Sequence, residues 1–315
     1  MKTNLFSILM LLVLTCNFSI AQEKQFPKID GVQSFSIEIN DNIRTYDLFC
    51  PDENGNSPKP IVIMFHGGGG NSKEAAYSTN WVDKAKKENF IVVFPNGTRP
   101  DNTKPASFGK NGQSWNDGST RDLWAVEKKV DDIDFVRTLI DTLKQEYKID
   151  TRRIYATGFS NGASMTFRLG VECSDIFAAI APVSGSLWLD NPVLKNPVSV
   201  LYINGDKDPL NPINGGAVKM GQRSFGNKKP ISQIINLWAN MLSTNKISDE
   251  NNREIHKVTY QASKVDLQWI TVKGMGHHWP GGKQTLPKWL VGNPSNAINA
   301  TDTIWDFFKT HSKET

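Results

Sequence analysis

Three short stretches carry residue types that can do chemistry together. In Gly158-Phe159-Ser160-Asn161-Gly162 a serine has glycine at both second neighbours, between an apolar run that reads as a strand and a stretch that reads as a helix. Such a turn is tight and strained, leaves no room for side chains at the glycine positions, and lifts the serine hydroxyl clear. In "GMGHHWPGG", residues 274–282, two of the chain's five histidines stand side by side. A serine hydroxyl is a weak nucleophile until a base takes its proton, and the base needs a third group to orient it. His277 or His278 can be the base. Asn204-Gly205-Asp206-Lys207-Asp208-Pro209 supplies two carboxylates, Asp206 and Asp208, either of which can orient it. Serine, acid and histidine are the set that nucleophilic acyl transfer uses, and they follow in that order along the chain.

An acyl-transfer site also needs donors for the developing oxyanion. One is expected from the backbone N–H of Asn161, the residue after the serine. A second is expected from the run His66-Gly67-Gly68-Gly69-Gly70, with Gly68 as the donor, because glycine lets backbone approach a substrate oxygen closely. His66 itself precedes the serine and abuts a strand, so it reads as a hydrogen-bonded histidine that fixes this loop. A metal centre is not expected: neighbouring histidines on a loop rarely share one ion, and no H-E-x-x-H or EF-hand spacing is present. No cofactor is implied. Trp115 and Trp279, beside motif glycines, are expected to line the site and meet a sugar or phenolic ring, with His278 at its mouth; Trp289 is expected to pack inside.

The elements that position these residues read as follows. Phe35, Ile37 and Ile39, then Tyr46 and Leu48, alternate with polar residues and predict two half-buried antiparallel strands. Ile61 to Phe65, Phe90 to Phe94, Ile154 to Thr157, Val198 to Ile203 and Leu267 to Val272 are short runs of the kind buried on both faces of a parallel sheet. Ile133, Val136, Ile140, Leu143 and Tyr147 recur at helical spacing after Asp131 and Asp132, acids that suit a helix N-terminus. Further helices are expected at Ile231 to Leu242 and around Ile304, Trp305 and Phe308. Alternating strands and helices predict an α/β fold, a mostly parallel central sheet with helices on both faces. Function in such sheets gathers at the C-terminal ends of the strands.

Taken together, "MFHGGGGN", "WNDG", "VDDIDFVRTLID", "IDTRRIYATGFSNGASMTFRL", "FAAIAPVSG", "NGDKDP" and "GMGHHWPGG" resemble the secreted α/β-hydrolase family of feruloyl esterases, acetyl xylan esterases and polyhydroxybutyrate depolymerase-like enzymes. The resemblance runs over most of the chain. It implies an α/β-hydrolase fold and a serine carboxylesterase with no cofactor. The family pattern Gly-His-x-Trp-Pro-Gly implies His277 as the catalytic histidine and leaves His278 at a variable position. The pattern His-Gly-x-x-Asp lands on Asp208, although Asn204 stands where the family has histidine. Relatives carry cysteines after Trp-Asn-x-Gly; Ser119 and Thr120 stand there in this chain. The implied substrates are feruloyl or acetyl esters on plant polysaccharide, the alternative being hydroxybutyrate oligomers. A hydrolase fold that only binds polysaccharide, and a peptidase, are the readings from other classes.

Residues 1–21 have the layout of a secretory signal peptide, with Lys2, an apolar stretch from Leu5 to Leu14 and the small-residue end Ser19-Ile20-Ala21. A lipid anchor on Cys16 is the rival. Residues 22–315 are expected to be one catalytic domain, secreted or periplasmic and monomeric. Removing Lys2 takes the formal charge from +4 to +3, too slight a balance to argue for nucleic acid or an anionic membrane. No stretch beyond the leader is apolar for long enough to span a bilayer. Cys50 and Cys173, each beside an apolar run, are expected as thiols rather than a disulfide.

Overall fold

The computed structural model describes residues 26–314 except 40–41, 53–54, 108–109 and 221–222; the signal peptide expected over residues 1–21, and Cys16 with it, lies outside the described residues. The N-terminal half contains strands β1 (Gln33–Ile39), β2 (Asn42–Phe49) and β3 (Lys59–Phe65), then helices α1 (Ser72–Thr79) and α2 (Trp81–Glu88) and strand β4 (Ile91–Pro95). After a long loop come α3 (Trp124–Glu127), α4 (Asp132–Glu146), β5 (Ile149–Phe159), α5 (Asn161–Glu172), β6 (Ala179–Val183) and β7 (Ser199–Gly205). A hairpin, β8 (Gly216–Met220) and β9 (Arg223–Lys228), precedes α6 (Ile231–Met241). Strands β10 (Asn245–Asn251), β11 (Ile255–Ala262) and β12 (Val265–Val272), then α7 (Lys288–Val291) and α8 (Ala300–Phe308), complete it.

Ten strands form one sheet in the order β1-β2-β4-β3-β5-β6-β7-β12-β11-β10. The run from β4 to β12 is parallel, and antiparallel pairs finish both edges. The central strands are apolar on both faces because both faces are covered. Ile61, Ile63 and Phe65 face a layer built from α4, α5 and α6, whereas Val62 and Met64 face α1, α2 and α8. Strand β1 alternates as its pattern predicts. Strand β2 is half-buried only at its start: Tyr46 to Phe49 are all buried, since β4 flanks its end and helices cover it.

Helix α4 matches its predicted pattern, with Phe135, Val136, Leu139, Ile140 and Leu143 inward. Its two leading acids divide the work. Asp131 caps the helix by accepting from the Asp134 N–H at 3.0 Å, a standard N-cap. Asp132 is fully buried, pairs with Arg44 at 2.7 Å and accepts the Asn116 N–H at 2.8 Å, so it ties the loop after β4 to the sheet. Trp289 is 85% exposed, contrary to the expected packing: α7 is a single turn at the surface that turns only Val291 inward. No disulfide joins Cys50 and Cys173. No helix among the described residues is long and apolar enough to cross a membrane.

Candidate active site

Ser160 sits between β5 and α5 with φ 56° and ψ −115°. A non-glycine residue held there costs on the order of 1–3 kcal/mol, and persists only where its surroundings force it. The glycines around it have steric reasons. A Cβ on Gly158 would overlap the carbonyl oxygen of Gly162, and one on Gly162 would overlap the carbonyl oxygens of Phe65 and His66. The turn is pinned by the Ser160 N–H donating to Val183 O at 3.0 Å and the Ser164 N–H to Ser160 O at 3.0 Å.

Ser160 Oγ lies 2.8 Å from His277 Nε2, and His277 Nδ1 lies 2.8 Å from Asp208 Oδ2. The three residues come from the ends of β5, β12 and β7, at the same edge of the parallel strands. Oδ1 of Asp208 accepts the N–H groups of Leu210 at 2.8 Å and Asn211 at 2.7 Å, so both carboxylate oxygens are engaged. Burial alone would raise the Asp208 carboxyl. The facing His277, the Asn211 N–H and the nearby Lys228 outweigh it and hold the group below the usual carboxylate range. His277 is packed by Phe159 at 4.8 Å between ring centroids. Its backbone is gripped by Val291, whose carbonyl accepts the His277 N–H at 2.6 Å.

Asp206 turns elsewhere: its Oδ1 accepts the Gly274 N–H at 2.6 Å and buttresses the turn before the histidines. Asn204, at the family's histidine position, is buried, and its Oδ1 accepts from Trp269 Nε1 at 2.7 Å. His278 has Nε2 donating to Gly292 O at 3.0 Å; burial foremost lowers its pKa, and its ring borders the cleft without reaching the serine.

The Gly67–Gly70 loop packs against the start of α5. The N–H groups of Gly69 and Gly70 are used internally, on Gln113 O and Gly67 O, while the Gly68 N–H makes no such bond among the described residues. A Cβ on Gly68 would lie 3.5 Å from that of Asn161, which shows how closely the loop and the helix start approach. His66 fixes this loop as its sequence position suggested. Its Nε2 accepts the Gly97 N–H at 3.0 Å, which leaves the proton on Nδ1 to be donated to Gly67 O at 2.7 Å. Burial drives its pKa down to about 4, so the ring is neutral.

Trp115 does not line the cleft. It is fully buried behind the loop, where Nε1 donates to His66 O at 3.0 Å and its N–H donates to Asn161 Oδ1 at 2.8 Å. It joins the glycine loop to the residue after the serine instead of meeting a ligand. Trp279 does border the cleft, with Nε1 donating to Thr301 Oγ1 at 3.0 Å. The cleft above Ser160 has a volume of about 320 Å³, and its apolar wall includes Leu210, Phe225, Leu286 and Leu290. These wall residues carry no motif in the sequence. Asp117 is buried too: it pairs with Arg121 and accepts Asn161 Nδ2 at 2.8 Å. The quoted "WNDG" contains it, but only the fold shows what it holds. Among the described residues no group of three or more His, Cys, Asp or Glu side chains is placed to hold a metal ion.

Chemically, a serine hydroxyl hydrogen-bonded to a carboxylate-oriented imidazole, beside free backbone N–H groups at a helix start, is equipped for acyl transfer. Similar proteins agree with that chemistry. Feruloyl esterase B of Piromyces equi is 27% identical over 243 residues, which cover 73% of this chain and 41% of that protein. Poly(3-hydroxyalkanoate) depolymerase C of Paucimonas lemoignei is 24% identical over 244 residues, 70% of this chain and 55% of that protein. This chain thus spans less than two thirds of either relative. The solved acetyl xylan esterase from Aspergillus awamori superposes with a TM-score of 0.54 at 15% identity, over 78% of this chain and 94% of that one, which bears on the fold alone. The family model described as Phospholipase/Carboxylesterase matches residues 52–223, more than half of the sequence. The chain belongs to that family and is a carboxylesterase with the α/β-hydrolase fold.

Proposed function

We propose that Ser160, His277 and Asp208 form the catalytic triad of a secreted esterase acting on feruloyl or acetyl esters of plant polysaccharide. In this reading Ser160 Oγ attacks the ester carbonyl as His277 Nε2 takes its proton, and the N–H groups of Gly68 and Asn161 receive the oxyanion. Collapse expels the alcohol, protonated by His277, and leaves an acyl-serine. Water, activated by the same imidazole, then releases the acid. Asp208 stays ionised and holds the ring with Nδ1–H toward itself. The leader at residues 1–21 would deliver residues 22–315 across the membrane as one catalytic unit.

The observation that carries this reading is the unbroken chain of 2.8 Å contacts from Ser160 through His277 to Asp208. A protein that only bound polysaccharide would have no use for it. The apolar wall of the cleft suits a phenolic or short acyl group, and the similarity to feruloyl esterase B favours the first. The test is a side-by-side assay on methyl ferulate, acetylated xylan and hydroxybutyrate oligomers, with Ser160→Ala as control. Ser160→Ala should lose on the order of 10⁶ in kcat. Retention of a tenth of the activity would refute the mechanism, and turnover of hydroxybutyrate alone would replace the substrate class.

A further inference from the structure

Lys228 closes the β8–β9 hairpin and is only 7% exposed, yet no carboxylate lies within salt-bridge distance of it among the described residues. Lysines are rarely buried so. Its Nζ donates to Asn211 Oδ1 at 3.0 Å. Asn211 in turn donates Nδ2 to Tyr202 Oη at 2.8 Å and its backbone N–H to Asp208 Oδ1 at 2.7 Å. On another side the ammonium lies 5.4 Å from the centre of the Trp188 ring, which also carries the Arg121 guanidinium at 4.8 Å. Arg121 pairs with Asp117, and Asp117 accepts from Asn161. The contacts therefore run from the acid's loop, through Lys228 and Trp188, to the residue beside the serine. Three residues before Lys228, Phe225 forms part of the cleft wall.

We propose that Lys228 is a positioning residue: its buried ammonium, bonded to Asn211 and set on Trp188, seats the hairpin that walls the cleft and fixes the loop that carries Asp208. The proposal rests on the triad reading above and adds to it a residue outside every motif. An ammonium in this place is costly. Burial foremost, then repulsion from Arg121, drives its pKa down to about 7, against the pull of Asp208 and Asp117. The charged groups acting on it are Arg121 and Asp117 from the loop after β4 and Asp208 from the loop after β7; Tyr202 stays neutral because burial raises its pKa. Below neutral pH the group is charged and favours the ionised form of Asp208. Above it the neutral amine still donates to Asn211.

Lys228→Met keeps the stem against Trp188 and removes both donor and charge. On p-nitrophenyl acetate its kcat should fall about ten- to a hundredfold, the cost of small misplacements in a preorganised site. The acid limb of its kcat/KM profile should move to higher pH by about half a unit, because a positive charge is removed from beside Asp208. It should melt no lower than the wild type at pH 6, where the buried charge is a liability. Asn211→Ala, which keeps the ammonium but cuts its link to the loop, should lower kcat without moving the limb. A folded Lys228→Met with wild-type kcat and limb would overturn the proposal, as would parallel losses of kcat and melting temperature with the limb in place. Should Lys228→Met fail to fold, Asn211→Ala within twofold of wild-type kcat would overturn it alone. An active Ser160→Ala would instead sink the triad reading, which keeps the two failures apart.

Discussion

Replacing Asp208 by asparagine tests the triad at its least obvious member. Asp208 Oδ1 already accepts two backbone N–H groups, at 2.7 and 2.8 Å, and Oδ2 faces His277 Nδ1 at 2.8 Å. The amide oxygen of asparagine would keep the two backbone bonds, so its NH₂ must turn to His277. An NH₂ donor forces Nδ1 to accept and moves the imidazole proton to Nε2, where the ring cannot take the proton of Ser160. The imidazolium also loses its counter-charge. Such a change costs roughly 10⁴ in kcat in other serine hydrolases, which is ~5.5 kcal/mol of transition-state stabilisation. Asp206→Asn is the matched control: its single bond from the Gly274 N–H survives on an amide oxygen, so the loss should stay below about tenfold, ~1.4 kcal/mol. Both variants are assayed on one soluble ester at neutral pH, with circular dichroism to verify folding. Asp208→Asn retaining more than a tenth of wild-type kcat, or Asp206→Asn falling as far, would refute the reasoning.

The adjacent histidines should separate as cleanly. His277→Ala should be nearly as inactive as Ser160→Ala, whereas His278→Ala, which loses a bond to Gly292 O and a piece of cleft wall, should change kcat/KM by less than about tenfold; the reverse ranking would move the base to His278. His66 should make the fold acid-sensitive: with its pKa at about 4 against an ordinary 6.5, the unfolded chain binds a proton between those values that the folded chain refuses. Stability then falls as pH drops through that window, by roughly 3 kcal/mol in all. Urea melts at pH 7 and 4.5 should show a loss larger by about 2 kcal/mol in the wild type than in His66→Gln, and equal losses would place the sensitivity elsewhere.

What could be read from the sequence was what local sterics and periodicity impose. The glycines at 158 and 162 mark the serine turn because the clash they avoid lies within a few residues or against the neighbouring strand. Helix α4 declares itself through its apolar spacing. Strand β10, "NKISDEN", does not, because an exposed edge strand buries almost nothing and keeps no apolar alternation. Helix α1, "SKEAAYST", is equally quiet: its inward face is built from Ser72, Ala75, Ala76 and Thr79. Trp115 and Trp289 lie opposite to expectation for different reasons. A tryptophan beside motif glycines does not reveal which side of the loop it occupies, and Trp115 is locked behind the glycine loop, whereas Trp289 sits in a single surface turn that sends only Val291 inward and so stands in solvent. Lys228 left no trace, since its meaning depends on Asn211, Trp188 and Asp208, which only the folded chain assembles.

The floor and the wall of the cleft are built from different materials. The floor is held by backbone pressed on backbone: a Cβ at Gly162, Gly205 or Gly276 would strike carbonyl oxygens of other segments, and no side chain there can be traded for another. The wall is made of side chains, Leu210 and Phe225 from the acid loop and the hairpin, Leu286 and Leu290 from the stretch around α7. A lineage exploring new acyl groups can therefore rewrite the wall while the nucleophile's seat stays frozen. A laboratory library confined to positions 210, 225, 286 and 290 should return many folded, active variants with altered substrate preference, where the same number of changes at 158, 162, 205 and 276 should return almost none.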